Sequence, residues 1–81
     1  KTVQRDGLLK TVGFVIGRPS PFRLVRVDGN RLETICYVRG NSAQLNNFLN
    51  RRLVIRGREY WAQGVKHPVV LVEQIALQDT P

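Results

Sequence analysis

The order of its apolar segments constrains this chain most: three runs of β type, one short run of helical type, then two more of β type. Lys1 to Asp6 is polar and charged and is expected to fray ahead of the domain. Leu8, Leu9, Val12, Phe14, Val15 and Ile16 lie between Gly7 and Gly17 and predict a long first strand, with Gly13 as a bulge or sharp bend inside it. Gly17-Arg18-Pro19-Ser20-Pro21 carries two prolines and reads as a loop. Phe22 to Val27 is a second strand, and Asp28-Gly29-Asn30 supplies positive-φ residues for a tight hairpin into a third, Arg31 to Arg39.

The pattern then changes period. After Gly40-Asn41-Ser42, the residues Leu45, Phe48 and Leu49 fall at i, i+3 and i+4, which predicts a helix of about two turns capped by Asn41 or Ser42. Arg51 to Trp61 is a fourth strand, with Leu53 and Ile55 facing one way and Val54 and Arg56 the other; Gly57 is placed for a bulge. Residues 62–67 form a turn, and Pro68 opens a last strand, Val69 to Leu77, because proline is tolerated at a strand's first position. One domain is expected over 7–78, with 1–6 and 79–81 as terminal segments; 81 residues cannot support two cores.

This order, β-β-β-α-β-β in about 75 residues, resembles the oligonucleotide/oligosaccharide-binding (OB) fold. The resemblance is carried by Gly13 in the first strand, the hairpin FRLVRVDGNRLETICYVRG, the helix NSAQLNNFL, and RRLVIRGREYW followed by HPVVLVEQIAL. It implies an all-β, five-stranded barrel, closed or partly open, with its helix between strands three and four. Closure agrees with physical expectation, since an open five-stranded sheet exposes two edges and no second helix is available to cover a face. A fainter resemblance links the chain to β modules attached to bacterial SH3-type domains in envelope proteins.

In the OB family, ligands commonly lie across strands two and three, gripped by the first and last hairpin loops. Carried onto this chain, that implies cations at Arg18, Arg23, Arg26, Arg39, Arg58 and Lys66 tracking phosphates, and Tyr37, Tyr60 and Trp61 stacking on bases. Phe14, Phe22 and Phe48 sit in apolar patterns and are expected in the core. Adjacent strand residues point to opposite sides, so at least one of Tyr60 and Trp61 should be exposed or near the loop.

Charge points to the same partner class. Thirteen basic against six acidic residues give a net charge of +7, and ten of the thirteen are arginine, whose planar fork suits phosphate and stacking partners. Enzymatic chemistry finds no support: His67 is the single histidine and reads as a loop residue, the acids are scattered, and neither a nucleophile triad nor a glycine-rich phosphate cradle is present. Cys36, the single cysteine, lies in an apolar run and reads as a buried structural thiol, so no disulfide or thiolate metal cluster forms within one chain. No cofactor is expected. No apolar run reaches the roughly 20 residues that cross a bilayer.

The chain contains no methionine, even at position 1, and so reads as a piece of a longer protein with neighbouring domains as partners and with its compartment, cytoplasmic or envelope, left open. Two functions follow. One is a binding module for single-stranded nucleic acid or another polyanion. The other is a protein-interaction or envelope module from a larger bacterial protein, its arginines serving as solvated surface.

Overall fold

The computed structural model describes residues 1–12 and 20–78. Among these residues five strands, β1 (Thr2–Thr11), β2 (Phe22–Asp28), β3 (Arg31–Arg39), β4 (Arg52–Tyr60) and β5 (Val69–Leu77), and one helix, α1 (Ser42–Asn46), build an all-β closed barrel. The strand order is β1-β2-β3-β5-β4, and β4 pairs back onto β1. All pairs are antiparallel except β3 with β5, which run parallel through Tyr37–Val69, Val38–Val70 and Arg39–Leu71. Parallel neighbours need a crossover connection, and here α1, β4 and the segments around them supply it.

β1 closes the barrel because it serves two neighbours. Thr2–Leu8 pairs with Arg58–Arg52 of β4, and Leu8–Thr11 pairs with Val25–Phe22 of β2. The N-terminal segment expected to fray is therefore a strand from Thr2 onward: its alternation puts Val3 in the core and turns Arg5 toward Glu59 on β4. The polar character of Lys1 to Asp6 concealed this, because one of its inward positions is filled by an ion-paired arginine rather than an apolar residue. The exchange of neighbours happens at Gly7 and Leu8, and a Cβ on Gly7 would come within 2.7 Å of the Val25 carbonyl oxygen, so only glycine fits there. The expected bulge at Gly13, and Phe14 with it, lie outside the described residues.

Alternation on each strand fills the interior with Leu9, Phe22, Leu24, Cys36, Val38, Leu53, Ile55 and Val70. Each fully buried aliphatic side chain stabilises the fold by about 1.5–3 kcal/mol relative to exposure. The helix packs onto the core. Asn41 is its N-cap, the side-chain oxygen accepting from the Gln44 N–H at 3.0 Å, and Leu45 enters the core while Phe48 and Leu49 pack against it. The helix is shorter than the expected two turns, ending in a turn that Asn50 completes at φ 64°. In the β2–β3 turn, Gly29 alone takes positive φ, at 62°; Asn30 does not share it.

Two irregularities shape the wall. Between β2 and β3 the register shifts at Leu24/Val25, leaving Ile35 as an extra residue on β3. Between β4 and β5 it shifts at the predicted position, Arg56/Gly57, with Glu73 as the extra residue on β5. Gly57 is required there, since a Cβ would lie 2.0 Å from the Leu71 carbonyl oxygen. None of the described helices is long and apolar enough to cross a membrane.

Candidate functional site

Because Val70 and Glu59 point into the barrel, the residues on either side of them point out. One rung of the outer surface thus reads Arg39 on β3, Leu71 on β5 and Arg58 on β4; the rung beside it reads Tyr37, Val69 and Tyr60. Arg39 Nη1 donates to the Tyr60 phenol oxygen at 2.9 Å, bridging the rungs diagonally over β5. Leu71 is 45% exposed, Tyr60 38%, and the following residue, Trp61, 62%. Arg58 Nε lies 3.5 Å from Glu73 Oε2, an exposed pair that contributes little to stability. The arrangement is an apolar and aromatic surface bordered by two guanidinium groups. It offers a π face, an apolar floor and cations within one patch.

Three of the sequence-predicted residues, Arg39, Arg58 and Tyr60, meet on this β3–β5–β4 surface, and the exposed Trp61 follows Tyr60 just past the end of β4. Tyr37, Arg23 and Arg26 do not join them. Tyr37 points outward from β3 yet is only 2% exposed, because it forms a second small core with Val12 and Val69 that Ala62 and Val65 of the β4–β5 connection pack against. His67 of the same connection meets the Tyr37 ring edge-on, with centroids 6.3 Å apart. The ring of Tyr37 therefore has no free face for a base, and its role is to seat the β4–β5 connection. Arg23 is half-buried on β2 and donates from Nη1 to Thr34 Oγ1 at 2.9 Å, while its Nε is buried without a partner. Arg26 is exposed on β2, opposite Glu33. Lys66 is exposed in the β4–β5 connection, and Arg18 lies outside the described residues.

The expected ligand face across β2 and β3 is thus partly occupied by the protein's own side chains, and a cation–aromatic surface with exposed Tyr60 and Leu71 lies one step around the barrel. Leu71 and Arg56 belong to that surface and were not among the residues anticipated. For Arg56 the signal was available, since the alternation of RLVIRGREY puts it on the same side as Arg58 and Tyr60.

The interior holds a polar feature of its own. Arg5 Nη2 lies 2.8 Å from Glu59 Oε2, with the Glu59 side chain 14% exposed. Cys36, fully buried nearby, has its thiol pushed up from 9.0 to about 12, chiefly by burial, with Arg5 opposing and Glu59 reinforcing the shift. Beyond Leu8 and Val25, β1 and β2 separate, and a cleft of about 450 Å³ opens between Arg5, Gly7, Val25, Arg26 and Ile35. Among the described residues no group of three or more His, Cys, Asp or Glu is placed to hold a metal ion.

No protein-family model, curated protein or solved structure matches the chain.

Proposed function

We propose that the chain is a non-enzymatic binding module of OB type that holds single-stranded nucleic acid, or another polyanion of similar spacing, on its β3–β5–β4 surface. The OB reading is supported by the strand order β1-β2-β3-β5-β4 closing onto β1, with the helix between β3 and β4. One observation carries the functional reading: Arg39 hydrogen-bonds Tyr60 at 2.9 Å beside the exposed Trp61 and Leu71, so cation and ring are held together before any ligand arrives. Base–aromatic stacking contributes roughly 1–3 kcal/mol per base, and guanidinium groups beside the ring supply phosphate contacts. The net charge of +7 draws a polyanion toward this surface.

A second reading rests on a different observation. Val27 and Leu32 face each other across the β2–β3 hairpin and are 49% and 43% exposed, an apolar pair suited to a protein neighbour. A fluorescence-anisotropy titration with a labelled single strand at about 50 and 200 mM salt separates the two. Binding that weakens with salt and is reduced in Trp61→Ala and Arg39→Ala supports the nucleic-acid reading. Absence of binding at the lower salt overturns it in favour of the protein contact.

A further inference from the structure

Resting on that reading, we infer that the bound single strand runs lengthwise along β4, one base stacked at the Trp61 end and the following phosphates on the outward arginines of the strand. Leu53, Ile55 and Gly57 are buried, which turns Arg52, Arg56, Arg58 and Tyr60 to the outside. From Tyr60 to Arg52 is eight residues, or about 26 Å at about 3.3 Å each, enough for about four nucleotides, the lower end of what one barrel of this type covers.

Arg56 is the centre of this track. Its neighbours in register are Gln4 on β1 and Gln74 on β5, two neutral amides able to donate and accept hydrogen bonds, with no carboxylate in the rung. Shallow grooves of about 410 and 330 Å³ adjoin it, the first lined with Val54 and Ala76, the second with Thr2 and Glu73. The ion pairs among the described residues engage Arg5 and Arg58, leaving Arg56 available to an external anion.

The track also contains its own brake. Glu73, the extra residue of the β4–β5 irregularity, takes up Arg58, and Asp6 stands opposite Val54 on β1. Both carboxylates repel a phosphate backbone, so removing Glu73 releases a cation and deletes an opposing charge together.

Oligodeoxythymidylates of two to eight nucleotides, and inorganic polyphosphate as the base-free polyanion, are titrated into the intact chain while the emission of Trp61, the single tryptophan, is followed. Affinity should rise with length to about four nucleotides and then level off. Arg56→Ala should weaken binding about threefold to tenfold and lower the salt slope by about 0.7, the value of one single-strand phosphate contact. Glu73→Gln should tighten binding about threefold by removing a near charge. Arg31→Ala, at the far hairpin turn, should weaken binding much less than Arg56→Ala. Wild-type binding that is unaltered by both Arg56→Ala and Glu73→Gln overturns the track while the nucleic-acid reading stands. Polyphosphate bound as tightly as the oligonucleotides, with no change in Trp61 emission, overturns the stacked base. Failure of the wild type to bind any strand overturns the functional reading itself.

Discussion

Arg5 on β1 and Glu59 on β4 meet inside the barrel wall, guanidinium nitrogen to carboxylate oxygen at 2.8 Å, and so tie the start of the first strand to the end of the fourth. Arg5 remains partly exposed and Glu59 is largely buried, which places the pair between the surface and interior regimes. Arg5→Ala is expected to cost about 1–3 kcal/mol in a urea titration, because it leaves the Glu59 carboxylate without its partner. The double variant Arg5→Ala/Glu59→Ala should cost less than the sum of the two single variants, and strict additivity would show that the two groups do not interact.

The glycine positions separate steric from conformational demands. Gly57→Ala drives a Cβ into the Leu71 backbone, at 2.0 Å, and should lower stability by more than about 2 kcal/mol or shift the β4–β5 register. Gly29→Ala meets open space but requires an alanine at φ 62°, and should cost only about 1 kcal/mol. Thermal denaturation of the two variants side by side reads the difference, and an equal loss in both would contradict the close approach at Gly57.

Much of this architecture was legible from residue pattern. β2, β3, β4 and β5 fall within one residue of the expected ends, because glycine, proline and asparagine bound each run and alternation sorts its faces. β1 was not legible over Thr2–Asp6, since an inward arginine looks like a solvated one until its glutamate, 54 residues away, is known. Tyr37 shows the same limit in the proposed binding surface. Alternation correctly turns it outward, but the burial comes from the β4–β5 connection folding over it, a contact between parts of the chain far apart in sequence. Likewise, the meeting of Arg39 with Tyr60 depends on the parallel β3–β5 pairing, which no local pattern encodes.

Cys36 gives the fold a specific alkaline sensitivity. Its thiol is raised to about 12 in the folded barrel from 9.0, mainly by burial. The protonated thiol is therefore favoured by folding: its contribution is intact below pH 9 and is lost progressively as pH climbs from 9 toward about 12. Over that window stability should fall as pH rises through this group, and Cys36→Ala should have a shallower slope than the wild type although it starts less stable. The same burial predicts that an added thiol reagent reacts only at the rate of unfolding. Rapid labelling of the native chain at neutral pH would contradict both statements.

The proposed ligand surface is read residue by residue by backbone amide chemical shifts. On titration of the labelled protein with a tetranucleotide single strand at low salt, the largest shifts are expected at Arg39, Arg56, Arg58, Tyr60, Trp61 and Leu71, fading as salt is raised. Shifts confined to β2 and the Val27–Leu32 hairpin, or none at all, would contradict it.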